Sequence, residues 1–260
     1  WLELAVHSLK AFERIYLPDG SYGEGIHYAN YTSESVLVGV EALRKSGLMP
    51  IDVDVDWVGH MQFMLNMSMA TAENPYEVVN IGDNGQRRDP EKFQHPNGKP
   101  ETRTAVPYWV AREFRDGSAQ WFAKNLGASH DIWALIFCDD SVSEIEPKSG
   151  AQTWFPEVDW VVARTGFTAD DLVVSLRSGN GYNHEHADRN SIIVKCFGEQ
   201  LIVDPLRPPY WFRDPAWILR ETAGHSAVLI GGKGQFHNNG VEGTNATRAQ
   251  ARLRDKGEGA

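Results

Sequence analysis

The chain has 260 residues, 42% of them hydrophobic, with nine tryptophans and a formal net charge of −10, enough apolar material for one large domain or two ordinary ones with a substantial core. That charge excludes a general affinity for nucleic acid, which needs clustered Lys and Arg to neutralise phosphates, and leaves an acidic polymer only a locally basic cleft to bind in. No run of about 18 apolar residues is present to span a membrane, and the opening WLELAVHSLKAFERIY lacks the basic start and cleavage site of a signal peptide.

Taken in chain order, LELAVHSLKAFERIY places apolar residues at Leu2, Val6, Leu9, Phe12 and Ile15, the spacing of a helix. SESVLVGVEALRKSG closes on basic residues and Gly47, a helical stop. Helices are also predicted in WVGHMQFMLNMSMATAE, VPYWVAREFR, SAQWFAKNL and HDIWALIFC. The polar insert GDNGQRRDPEKFQHPNGKPETRT has loop composition; its Arg87, Arg88 and Arg103 read either as a solvated loop or as a cleft lining. Trp109, Trp121, Trp133 and Trp154 read as core. Cys138 and Cys196 are isolated and make neither a disulfide framework nor a thiolate metal site.

After DDSVSEIEPKSGAQ the hydrophobic period changes from about 3.6 to 2. VDWVVARTGF, DLVVSLRSG, NSIIVKCFGEQLIVD and HSAVLIGG read as strands, the third as a hairpin turning at Gly198. Helices followed by strands predict a segregated α+β chain, divided into a helical part over 1–145 and an antiparallel part over 146–260. The chain opens mid-helix and stops at RLRDKGEGA without a final element, as a fragment would.

The stretch GYNHEHADRN, residues 181–190, sets two histidines and two acids just before an apolar strand. On an extended segment His184 and His186 would share one face, because strand side chains alternate. Asp204 follows His186 by 18 residues (204 − 186), and His225 follows by another 21 (225 − 204), all at strand ends. Imidazole with carboxylate suits a zinc ion, whereas half-exposed histidines on loops are the plainer alternative.

DGSYGEGIHYANY, then NHEHADRNSIIVKCFGEQLIVDP, then HSAVLIGGKGQ, together resemble the heparinase II/III-like polysaccharide lyases. Three motifs in family order span residues 19–235. The resemblance implies an incomplete (α/α) toroid followed by an antiparallel β-sandwich, and β-elimination on a uronic-acid-containing anionic polysaccharide. Tyr28 and His184 would be catalytic, Asn183 and Glu24 would line the substrate cleft, and one zinc would be held by His186, Asp204 and His225. A periplasmic or secreted location goes with it. In that family an Asn or His that neutralises the substrate carboxylate stands some tens of residues before the tyrosine, and this chain begins 27 residues (28 − 1) before Tyr28. That residue is expected upstream of Trp1, or else the active site is incomplete.

The chemistry explains the residue types. Elimination removes the C5 proton beside a uronate carboxylate and expels the oxygen at C4, so it needs a base and an acid on one ring and donors that stabilise the enolate-like intermediate. Two other functions use the same residues: a hydrolase whose zinc activates water, and a glycan-binding fragment without catalysis. Absorbance at about 235 nm from the unsaturated uronate separates elimination from both.

Overall fold

The computed structural model describes residues 1–47, 53–83, 104–127, 129–148, 150, 152–204, 213–235, 247 and 249–254. Arg87, Arg88 and Arg103 lie outside the described residues. Helices α1 (Leu2–Ala11), α2 (Gly25–Ser46), α3 (Trp57–Asn66), α4 (Val106–Phe114), α5 (Gly117–Phe122) and α6 (Ile132–Phe137) come first, with a 3-10 turn after α1 and a π turn after α5. Strands β1 (Gln152–Phe155), β2 (Trp160–Arg164), β3 (Val173–Arg177), β4 (Ser191–Cys196) and β5 (Glu199–Ile202) follow as one antiparallel sheet in sequence order. The chain is therefore α+β with its helices and strands segregated, as the change of period predicts. The two free thiols are Cys138 and Cys196.

Helix α2 starts at Gly25, eight residues before the predicted Ser33 (33 − 25). The buried Asn30, Thr32 and Ser33 interrupt the apolar spacing of its first turns, which hides them from a periodicity argument. They are buried because they have partners: Thr32 Oγ1 lies 3.1 Å from the Tyr22 hydroxyl, and Ser33 Oγ lies 3.0 Å from that of Tyr16. Gly25 has φ of +84°, and a Cβ there would stand 2.5 Å from the Ile81 carbonyl oxygen, so only glycine permits this entry to the helix.

His60 on α3 holds the preceding turn in place. Its Nδ1 donates to the Gly20 carbonyl at 2.8 Å and its Nε2 accepts from Ser33 Oγ at 2.8 Å, with the rings of Tyr16, Tyr22 and Trp57 packed edge-on around it. Complete burial drives its pKa down to about 4.

Helix α3 ends at Asn66, where the sequence predicts helix to Glu73. Arg164 of β2 supplies the reason: its Nη2 donates to the carbonyls of Asn66 and, at 2.8 Å, Ser68, satisfying the last turn of the helix from across the core. Strands β2, β3 and β4 alternate between buried and half-buried positions. Phe63 of α3 meets Phe155 at 5.1 Å and Trp160 at 5.9 Å between ring centroids, which places one apolar core under both halves. Burying a side chain such as Phe63 contributes roughly 1.5–3 kcal/mol.

The β4–β5 hairpin turns through Phe197 and Gly198, both with positive φ, as predicted for Gly198. The Gly198 carbonyl accepts from the Ala72 amide at 3.0 Å, tying the hairpin to the helical half. HSAVLIGG does not form a strand among the described residues. It contributes one bond to β4, Ile192 N–H to Ser226 O at 3.2 Å, and then leaves Val228 and Ile230 exposed before a tight turn with positive φ at Gly231 and Gly232. Among the tryptophans read as core, Trp109 is buried and Trp121 and Trp133 pack against the core, but Trp154 is half-exposed at the edge of the sheet.

Because His60 is neutral in the fold, its depressed pKa contributes stability that is complete above the unfolded value of about 6.5 and is lost as pH falls toward 4, on the order of 3 kcal/mol. Denaturant midpoints are expected to drop across that window. His60→Gln is expected to be less stable at pH 7 and to show a shallower decline. Parallel declines in the two proteins would disprove this role for His60.

Candidate active site

GYNHEHADRN forms the connection from β3 to β4, not an extended strand. His184 has φ of +55°, which breaks the alternation and sends the two imidazoles apart. His184 stays half-exposed, while His186 is fully buried. The two rings share a carboxylate in place of a face: Asp83 Oδ2 lies 3.3 Å from His184 Nδ1, and Asp83 Oδ1 lies 3.0 Å from His186 Nε2. The Asp83 amide also donates to the His184 carbonyl at 2.9 Å. A Cβ on the neighbouring Gly82, whose φ is +70°, would come within 2.7 Å of that carbonyl oxygen.

Tyr28, on the first turns of α2, stacks directly on His184, with ring centroids 4.0 Å apart and planes 16° from parallel. His27 meets the Tyr28 ring edge-on at 5.2 Å. Glu24 stands at the N-cap position of the same helix with its side chain bonded to that of Asn183, and Asn183 itself is exposed. Burial raises the Glu24 pKa, opposed by the nearby His184 and by the bond from Asn183. The four residues therefore gather at one opening on the seam between the helical and β halves. Tyr28 and His184, far apart in sequence, form its centre.

Beneath this opening lies a buried ionic layer. Arg177 of β3 pairs with Glu185 and Asp188, Arg189 pairs with the same two acids, and Arg220 reaches Asp83 Oδ1 at 2.8 Å. Burial works against the Asp83 carboxylate, but bonds from His184 and His186 and the charge of Arg220 outweigh it and hold its pKa well below the usual range. Burial also lowers the pKa of His186, to about 4, so its imidazole is neutral.

Three buried atoms in this layer lack hydrogen-bond partners among the described residues and converge: His186 Nδ1, His225 Nε2 and Asp188 Oδ2. His186, Asp188 and His225 each offer a ligand atom, all within 4.8 Å of one another. Each histidine has its other nitrogen on a carboxylate, His186 on Asp83 and His225 Nδ1 on Asp204 Oδ2 at 2.7 Å. This is how proteins fix the tautomer of a metal-binding imidazole. Leaving the imidazoles aside, three guanidinium groups (Arg177, Arg189, Arg220) face four carboxylates (Glu185, Asp188, Asp83, Asp204), a net of −1 (3 − 4) that a cation would reverse. The residues present thus fit a metal ion. Sequence spacing paired the histidines with Asp204; the structure puts Asp188 in the three-residue cluster and Asp204 behind His225, with Asp204 Oδ1 also buried and unpartnered.

Asp83 and the arginines escaped sequence reasoning. Asp83 follows Gly82 where the sequence has no apolar periodicity, 101 residues from His184. Asp188 had a signal, since it continues the two-residue spacing of His184 and His186.

Residues 147–260 match the family described as heparinase II/III-like, C-terminal. No curated protein matches the chain by sequence. Among solved structures, a crystal structure of heparinase III aligns over 98% of this chain at a TM-score of 0.66 and 14% identity. A second heparinase III aligns over 88% at 0.60 and 14% identity. A mutant heparan sulfate lyase from Pedobacter heparinus aligns over 88% at 0.60 and 13% identity. This chain spans about a third of the length of those structures, 37%, 33% and 33% respectively. Residues 147–260 are thus similar to the C-terminal domain of heparinase II/III-like proteins, and the chain as a whole shares the fold of the matching part of heparinase III.

Proposed function

We propose that the chain is the catalytic seam of a polysaccharide lyase that cleaves a uronic-acid-containing anionic glycan by β-elimination. The observation that carries this reading is the Tyr28–His184 stack at a half-exposed opening, which sets a phenol and an imidazole side by side where a single sugar ring can reach both. With Nδ1–H directed at Asp83, His184 keeps Nε2 as its basic nitrogen. A base at this position takes the C5 proton, the electron pair forms the C4–C5 double bond, and the C4–O bond breaks as Tyr28 protonates the departing oxygen. Tyr28 acts as both base and acid on the uronate epimer whose C5 proton faces it, and His184 is the base on the other. Asn183 and Glu24 hold hydroxyl groups at the rim. A heparan sulfate-like glycan is one substrate of this class, and a periplasmic or secreted enzyme is the setting that suits it.

The metal in this reading is one zinc ion, on His186 and His225 with carboxylate from Asp204 or Asp188. When bound, it is a structural cross-link and not a reagent, because its ligand atoms are buried beneath the opening. It would fix the β3–β4 connection, and so His184, against the helix that carries Tyr28.

Tyr28→Phe keeps the ring and its packing, so the variant is expected to melt within a few degrees of the unaltered protein. Elimination, followed at about 235 nm on heparan sulfate and alginate, is expected to fall by roughly two or more powers of ten. Retention of full activity would sink the assignment.

His186→Ala is expected to lose zinc, measured by elemental analysis, together with thermal stability, and activity only as a consequence. Asp188→Asn and Asp204→Asn then decide which carboxylate is the ligand, the one whose loss empties the site. Zinc-free protein of unchanged stability would remove the metal from this account.

A further inference from the structure

A cleft of about 590 Å³ lies between the β1–β2 turn, the start of the β3–β4 connection and the segment 251–254. Its size is that of a small-ligand site. Trp154, Glu157, Asn180, Arg252 and Arg254 line it, and all but the half-exposed Trp154 are exposed. Ala251 and Leu253 are more buried than the arginines that alternate with them, so Arg252 and Arg254 project to one side. The segment is anchored there: the Ala251 amide donates to the Gly179 carbonyl at 3.1 Å, and the Leu253 amide to Asp159 Oδ2 at 2.6 Å.

Asp159 is committed to this frame, since its Oδ1 also accepts the Trp154 indole N–H at 3.1 Å. Among the described residues neither arginine has an ion-pair partner. What lines the cleft is therefore two guanidinium groups, an indole, an amide and two carboxylates, of which that of Asp159 is taken up by the Trp154 and Leu253 N–H groups. A simple anion would leave Glu157, Asn180 and the indole without partners, and a neutral sugar would leave the two arginines without one. An acidic sugar unit satisfies every group: its carboxylate or sulfate takes the arginines, its hydroxyls donate to Glu157 and Asn180, and its apolar face packs on the indole.

One side chain packs against both the wall of this cleft and the helix start at the candidate active site. Tyr182 joins them, donating its hydroxyl to the Glu157 carbonyl at 3.3 Å while its ring lies against Gly23, the residue before Glu24, so closely that a Cβ on Gly23 would fall 2.3 Å from it. We propose that this cleft is a second saccharide subsite, which binds an anionic unit of the same glycan chain whose reacting unit lies at Tyr28 and His184. The inference rests on the lyase reading for the identity of that chain, but its binding test does not depend on turnover.

The test is calorimetric titration of the full-length protein with hexasaccharides of heparan sulfate, alginate and polygalacturonate. At least one is expected to bind, and the double variant Arg252→Gln/Arg254→Gln is expected to bind it roughly tenfold or more weakly, with a smaller salt dependence. Both side chains are exposed, so the fold is kept, and Arg252→Lys/Arg254→Lys is expected to recover part of the loss. Equal affinity in the unaltered and glutamine proteins, or no binding of any of the three, overturns the proposal. A protein that binds through the two arginines but gives no absorbance at 235 nm overturns the lyase reading alone.

Discussion

The Asp83 carboxylate is a buried charge that three donors from the β half converge on: His184 Nδ1, His186 Nε2 and Arg220 Nη2. An isolated carboxylate at that depth would cost several kcal/mol, so Asp83 is tolerated only while those donors are in place. The dependence runs both ways. Asp83 belongs to the segment between α3 and α4, and its partners belong to the connection after β3 and the 3-10 turn Pro215–Arg220. The two halves are therefore held in one relative position by a polar contact, and the apolar core beneath supplies adhesion without that directionality.

The ionic layer around it follows the same logic. Glu185, Asp188, Arg177 and Arg189 are nearly excluded from solvent, and each acid is shared by both arginines. Such a layer is a weak source of net stability, since desolvation offsets most of the attraction, but it tolerates few arrangements. Its geometry is what brings His186 and His225 together with bare nitrogens facing each other, their rings 5.1 Å apart. Directly above, His184 is held by the same carboxylate yet remains open to solvent. A rigid dry layer thus supports a wet one, as a site requires if its acid and base are to be placed before substrate arrives.

Much of the architecture was legible because apolar spacing reports burial. The change of period near residue 150 separates helices from strands, and the β4–β5 hairpin follows from its alternation and one glycine. The first turns of α2 were illegible, because Asn30, Thr32 and Ser33 are polar and buried at once, a state that only tertiary partners reveal. The end of α3 depended on Arg164, nearly a hundred residues away. HSAVLIGG has strand composition, but the chain after His225 is held by the Asp204 contact and then turns at two glycines. At the site, motif order singled out Tyr28 and His184, which the structure sets in contact. The partners of the two histidines could not be read, because Asp83 has no local pattern and Asp188 differs from Asp204 only in which nitrogen it faces.

Gly82 gives the seam an unexpected kind of precision. Its bare α-carbon lets the backbone of the helical half lie flush against the carbonyl of His184, with space for less than one methyl group. In engineering terms the joint is a zero-clearance fit, in which the distance between tyrosine and imidazole is gauged by main chain on main chain and not by the packing of adjustable side chains. Core residues in either half can therefore drift in size over evolutionary time while the reactive pair keeps its spacing, provided that this one position never gains a side chain.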